Sequence, residues 1–194
     1  MVKSLANVAT DLETIEAAFV ALTDDEQSNY KEAMCSHNAN QWIEACKHKY
    51  DLIMGYGTWD LMDAPLDTNI VGSQWTFWVK HDNLGQINRY KAWLVAQGFS
   101  QIPGIDFHET YSPTIQLTSI WFILTYACEN NLKLHQIDVK GAYLNGKINE
   151  NDYVKQPEGF IIPGKENMVC KLNKGVYGLK QSRRLCNKLL KSEL

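Results

Sequence analysis

The residue best placed to do chemistry is Asp138, in the run Leu134 to Gly146, LHQIDVKGAYLNG. Leu134, Gln136 and Asp138 alternate with His135, Ile137 and Val139, the period of a β-strand, and the pattern stops just after the carboxylate. A carboxylate at a strand end can hold a divalent cation through a hard oxygen, but it can equally cap a turn or face water. Other candidates fail on geometry. Cys35-x-His37 and Cys46-x-His48 do not have zinc-finger spacing, since residues two apart on a helix point about 200° apart around its axis. His108-Glu109 lacks the second histidine of a metalloprotease helix, because Ser112 stands in its place.

Charge supplies a second lead. The net charge is −3, yet residues 1–70 carry 12 acidic and 4 basic side chains, against 10 acidic and 15 basic in 71–194. Lys171, Lys174, Lys180, Arg183, Arg184, Lys188 and Lys191 follow one another with no acid between them, a density suited to phosphate or to a solvated helix face. With 45% hydrophobic and 21% charged residues the chain has the composition of a soluble globular protein of one large or two small domains. No run reaches the ~18 apolar residues of a membrane helix. The N-terminus has no signal-peptide pattern, so the expectation is an intracellular protein, cytoplasmic or nuclear and not secreted. Five scattered cysteines with no C-x-x-C pair read as reduced and mostly buried.

The elements that must position Asp138 follow from periodicity. Residues 1–37 read as an acidic lead-in with a short helix around 11–22. Trp42, Ala45/Cys46, Tyr50 and Ile53/Met54 recur at helical spacing behind Asn38 as cap, and Gly55 and Gly57 end the run. Strands are predicted over 58–63, 74–81 and 86–96, the last two joined by the tight turn Asp82-Asn83-Leu84-Gly85. The hairpin's aromatics read as a packed small sheet in preference to a base-stacking platform, with Lys80, Arg89 and Lys91 near enough to the turn to reach phosphates. Residues 98–113 are broken by glycine and proline into an irregular connection. A helix from Ile120 to Asn130, capped by Thr118 or Ser119, leads into the Asp138 strand, and short strands at 152–156 and 168–172 precede a basic helix from Ser182. The class is α+β, antiparallel sheet with packed helices.

The ordered blocks TWDLMDAP, RYKAWLVAQGFSQIPGIDFHETYSP, LHQIDVKGAYLNG, VKQPEGF and VCKLNKGVYGLKQS resemble the reverse transcriptase of copia-type retrotransposons over roughly residues 30–194. That enzyme is the RNA-directed DNA polymerase segment of their Pol polyprotein. The resemblance implies a reverse transcriptase domain over 38–194, with the fingers of a right-hand polymerase at about 41–117 and the first part of its palm at about 118–194. It makes Asp138 the first catalytic aspartate, joined on Mg²⁺ by the carbonyl of Val139, and Tyr143 the bulky residue under the incoming sugar. Lys80 and Lys91 match cations that neutralise the triphosphate, and the block from Tyr177 to Ser182, with Tyr177 and Gln181, matches the lining of nucleotide and template. Lys180, Arg184 and Lys188 become nucleic-acid contacts, and the implied partners are an RNA or DNA primer-template and a deoxynucleoside triphosphate.

Two-metal transfer needs hard oxygen ligands converging on ions about 4 Å apart. The family's second block, Tyr-x-Asp-Asp, does not occur in these 194 residues, and Asp24-Asp25 precedes the domain. The expectation is therefore a truncated domain, inactive alone. Usually basic positions are neutral at Gln74, Trp78, Trp93, Gln116 and Trp121, while Arg183 and Cys186 replace the last block's proline and tryptophan. A non-catalytic nucleic-acid-binding module and a non-functional retrotransposon remnant are the alternatives.

Overall fold

The computed structural model describes residues 27, 29–66 and 68–193; the helix expected around 11–22 lies outside them. In order they form α1 (Tyr30–Cys35), α2 (Ala39–Gly55), β1 (Trp59–Asp63), β2 (Ile70–Val71), β3 (Ser73–His81), β4 (Ile87–Ala96), α3 (Leu117–Glu129), β5 (Tyr153–Lys155), β6 (Met168–Leu172) and α4 (Ser182–Glu193). Short 3-10 turns at Gly98–Ser100 and Ala142–Asn145 complete them. This is a mixed α/β chain with two sheets, one of order β1-β6-β5-β2 and one of β3-β4. Its pairings are antiparallel, as expected, except for the two-residue pairing of β2 with β5, which runs parallel. The four-stranded sheet joins strands from both sides of residue 117, β1 lying against β6 from Trp59↔Leu172 to Asp63↔Met168.

Helix α2 forms where its apolar spacing predicts, but Asn38 makes no side-chain capping bond, so burial holds it. Trp42, Cys46 and Ile53 are its buried face. The Trp42 ring meets Phe77 edge-on at 5.1 Å and Tyr90 at 4.6 Å, clamping the helix to the β3-β4 hairpin. The hairpin turn is built by Asp82, whose Oδ1 accepts from the backbone N–H of Leu84 and Gln86, both at 2.9 Å. Its aromatics divide by strand alternation. Trp75 and Phe77 are core, whereas Trp78 and Trp93 stand on the exposed face with Lys80, Arg89 and Lys91. The packed-sheet reading therefore holds for one face only. Phe160 joins hairpin to α2 by packing on Trp75 at 5.5 Å and stacking on Tyr50 at 4.4 Å.

Three expectations are corrected. Helix α3 starts at Leu117 behind Gln116, with no side-chain cap from Thr118 or Ser119, and of its apolar stripe only Ala127 is buried. The strand predicted to deliver Asp138 does not form. Residues 132–139 have no regular structure and pair with no strand among the described residues, and everything from Asn131 to Lys140 is exposed. An alternating pattern needs a neighbouring strand to become a ladder. Finally, all five cysteines are free, but only Cys46 and Cys170 are buried, and burial pushes both thiols up to about 12.

Candidate nucleotide and metal site

Although the stretch around Asp138 is not a strand, its second half is fixed from three sides. The Tyr56 hydroxyl donates to the Lys140 carbonyl at 3.1 Å. Gly141 then takes a left-handed φ of 59° and opens the 142–145 turn, which drives Leu144 into the core. Behind the turn, Gly175 N–H donates to Gly146 O at 2.8 Å and Ile148 N–H to Asn173 O at 3.0 Å. Gly146 itself lies against α4, where a Cβ would come 2.9 Å from that of Leu185.

This anchoring brings Asp138, Val139 and Tyr143 to a cavity of about 340 Å³, which Lys49, Trp93 and Tyr177 also line. Tyr177 is held there by the end of β4, the Ala96 N–H donating to its carbonyl at 2.8 Å. Its ring lies 5.6 Å from that of Tyr143 and meets Trp93 edge-on at 5.3 Å. A second cavity of about 590 Å³ adjoins between α2 and β4, sharing Lys49 and Trp93 and adding Arg89 and Lys91. Burial first, then the charges of Arg89 and Lys80, lower the pKa of Lys91, while the Asp138 carboxylate opposes them. Asp138 therefore sits within the field of the hairpin cations.

The other predicted residues lie elsewhere. Lys80 is on the exposed hairpin face opposite Arg89 and lines neither cavity. Lys180 and Lys188 are exposed, and Arg184 is ion-paired with Glu109. Gln181 points inward, only 2% exposed, and its Nε2 donates to Asp152 Oδ2 at 2.5 Å. Gln101 closes this network, its Nε2 donating to Gln181 Oε1 at 3.2 Å and to Asp152 Oδ1 at 3.4 Å, its Oε1 accepting from Lys180 N–H at 2.8 Å. Burial, then the charges of Asp106 and Glu150, push the Asp152 carboxyl up to about 7 against the hydrogen bonds from Gln101 and Gln181. Sequence reasoning missed Asp152, Gln101 and Lys49. The network partners are 29 to 80 residues apart, and Lys49 is a lysine on a helix, so no local pattern marks any of them.

Among the described residues no group of three or more His, Cys, Asp or Glu side chains gathers to hold a metal. Asp138 is the one carboxylate residue that lines the cavity, with Val139 beside it. That set suits one Mg²⁺ that keeps several waters and takes phosphate oxygens. It does not suit two ions, so no transfer step follows from these residues alone.

In this mixed α/β fold one carboxylate and two tyrosines thus line one cavity, beside a second that is lined by two hairpin cations. The chain belongs to the reverse transcriptase (RNA-dependent DNA polymerase) family, which matches residues 56–194. Among its relatives is the retrovirus-related Pol polyprotein from transposon TNT 1-94 of Nicotiana tabacum, 41% identical over 167 residues, 86% of this chain and 13% of the relative. The Pol polyprotein from transposon RE1 of Arabidopsis thaliana is 40% identical over 159 residues, 81% of this chain and 11% of that protein. An uncharacterized mitochondrial protein of Arabidopsis thaliana is 41% identical over 86 residues, 44% of this chain and 51% of that one. The resemblance to copia-type reverse transcriptases thus holds, and the chain spans about a tenth of the length of the Pol polyproteins it matches. No solved structure matches it. No helix among the described residues is long and apolar enough to cross a membrane.

Proposed function

We propose that this chain forms the nucleotide-facing part of a reverse transcriptase site, with fingers at about 41–117 and the first part of the palm at about 118–194. The observation that carries it is the convergence of Asp138, Val139, Tyr143 and Tyr177 on one cavity of about 340 Å³. In this reading Asp138 and the Val139 carbonyl hold one Mg²⁺, which would draw in the phosphates of a deoxynucleoside triphosphate. The Tyr143 ring, 5.6 Å from Tyr177, lies beneath the sugar and crowds a 2′-hydroxyl. Gln181 acts from behind, its side chain bonded to Asp152 while the turn before it presents Tyr177. One carboxylate holds one ion, so nucleotidyl transfer by two ions calls for carboxylates additional to Asp138.

Titration calorimetry with dTTP tests the reading. Mg²⁺ is expected to raise affinity for dTTP, and Asp138→Asn to abolish that gain, lowering affinity about tenfold, in line with ~1.5–3 kcal/mol for a contact to a charged group. An Asp138→Asn protein whose Mg²⁺-dependent affinity equals the parent's would refute the metal role.

A second reading, a non-catalytic nucleic-acid-binding module, draws on the exposed Trp78 and Trp93 interleaved with Lys80, Arg89 and Lys91. Rings and cations on one face suit a strand of nucleic acid. Affinity for a primer-template is then expected to fall steeply with salt, and Lys180→Gln with Lys188→Gln to flatten that dependence by about one to two units of slope. A salt-independent affinity excludes this role.

A further inference from the structure

We propose that the groove between α2 and β4 is the docking site of the chain's own acidic segment 11–26, which covers the groove and screens its cations.

The groove, of about 590 Å³, is a trough with one wall from α2 and one from β4. Its α2 wall runs from Gln41 to Lys49 and its β4 wall from Arg89 to Trp93, so at ~1.5 Å per helical residue and ~3.4 Å per strand residue both are about 12–14 Å long. That shape suits a stretch of polypeptide. Its lining is cationic and apolar at once, with Lys49, Arg89 and Lys91 beside Ala45 and Trp93, and Glu44 is the single acid there. Lys49 Nζ lies 5.9 Å from the centre of the Trp93 ring, and that ring is half-exposed. Among the described residues the one ion pair is Arg184 with Glu109, so no carboxylate pairs with any of the three groove cations. Burial and then the charges of Arg89 and Lys80 disfavour the charged form of Lys91, a repulsion that carboxylates laid along the groove relieve.

Segment 11–26, DLETIEAAFVALTDDE, complements this lining in charge and in pattern. Asp11, Glu13, Glu16, Asp24, Asp25 and Glu26 are its charged residues, with no lysine, arginine or histidine among them. Leu12, Ile15, Phe19 and Leu22 fall within about 80° of one another at helical periodicity, an apolar face suited to Trp93 and Ala45. The tether reaches. Asn29, the cap of α1, and Gln41, at the near end of the groove, are 12 residues apart, six of them helical, so at most about 30 Å separates them. Sixteen residues of extended chain span up to about 50 Å. Lys49 and Trp93 also line the 340 Å³ cavity, so the docked segment borders that cavity and meets any polyanion drawn to the same cations. The docking itself does not depend on the nucleotide reading.

Zero-length cross-linking of the whole chain by a water-soluble carbodiimide, which joins a carboxylate to an amine in contact with it, tests this once the peptides of the monomer band are mapped by mass spectrometry. Amide links are expected from Glu13, Glu16, Asp24, Asp25 or Glu26 to Lys49 or Lys91. The absence of any such link overturns the proposal. So do links confined to the dimer band, which give the groove to a second copy of the chain. Acetylation of lysines by a limiting reagent supplies a second readout. A tethered segment has an effective concentration in the millimolar range and is expected to protect Lys49 and Lys91 about fivefold. Glu13→Gln combined with Glu16→Gln, and separately Phe19→Asn, which leaves the charge unaltered, are expected to remove that protection, while exposed Lys155 keeps its rate. Acetylation of Lys49 and Lys91 unchanged within about twofold in both variants overturns the proposal. Equal rises at Lys49, Lys91 and Lys155 overturn it as well, because they report a loosened fold and not an uncovered groove.

Discussion

Gly178→Ala is expected to destabilise the chain by about 3 kcal/mol, more than a change of one methyl group ordinarily costs. Gly178 has a φ of 96°, and a Cβ on it would lie 2.1 Å from the Ala96 carbonyl oxygen and 2.9 Å from the Ala96 nitrogen. Facing it, a Cβ on Gly98 would lie 2.1 Å from the Gly178 carbonyl oxygen. Two backbones therefore cross with no room for a side chain on either, and both obstructing atoms are main chain that cannot swing aside. The variant must part the crossing and lose the Ala96 N–H bond to Tyr177 O, net worth about 1 kcal/mol, beyond the ~1–2 kcal/mol of a left-handed alanine. Gly85→Ala is the control, since Gly85 has a similar φ of 76° but open space around it. Its cost is expected to be only the conformational ~1 kcal/mol. Urea denaturation measures both, and equal losses in the two variants would show that the close crossing does not matter. Because Tyr177 is placed by this crossing, Gly178→Ala is also expected to lower nucleotide affinity, whereas Gly85→Ala is not.

How far the sequence reveals such a site depends on the distance over which its signals act. Helix α2, the β3-β4 hairpin and its turn are readable because Trp42, Cys46 and Ile53, the alternation through Trp75 and Phe77, and the Asp82 turn are local patterns. The Asp138 stretch is different. Its alternation is a genuine pattern, but a pattern is only half of a strand, and the described residues contain no partner for it. Asp138, Val139, Tyr143 and Tyr177, which the ordered blocks single out, line one cavity although 39 residues separate the first from the last. Gln181 shows the limit of that transfer. Belonging to the right block did not say which way its side chain points, and an acidic partner at Asp152 takes it into the interior. Lys49 shows the converse, a residue outside the recognised blocks that packing alone delivers to the site.

The pairing of Gln181 with Asp152 gives the second large effect, a loss of stability as pH rises through neutrality. Asp152 is 1% exposed, and its carboxyl pKa is raised from the ordinary 3.8 to about 7, burial being the leading cause. Below about pH 4 folded and unfolded chains both carry the proton, and ionisation does not oppose folding. Between about pH 4 and 7 the unfolded chain releases its proton while the folded chain retains it, so each unit of pH weakens the fold by up to ~1.4 kcal/mol. Above about pH 7 both are ionised and the loss is complete, on the order of 4 kcal/mol in all. Asp152→Asn keeps the shape and one acceptor oxygen for Gln181 but cannot ionise. Its stability is expected to lack this fall, so the gap between variant and parent in urea midpoint should widen from pH 4.5 to 7.5. A constant gap across that range would mean that Asp152 ionises in the fold as it does in water. The same titration bears on the site, since Asp152 holds Gln181, and Gln101 joins that pair to the Lys180 backbone. Ionisation is resisted by burial first and then by the neighbouring charges of Asp106 and Glu150, and the parent's nucleotide affinity is expected to fall over the same pH interval in which its stability does, a correlation that Asp152→Asn should remove.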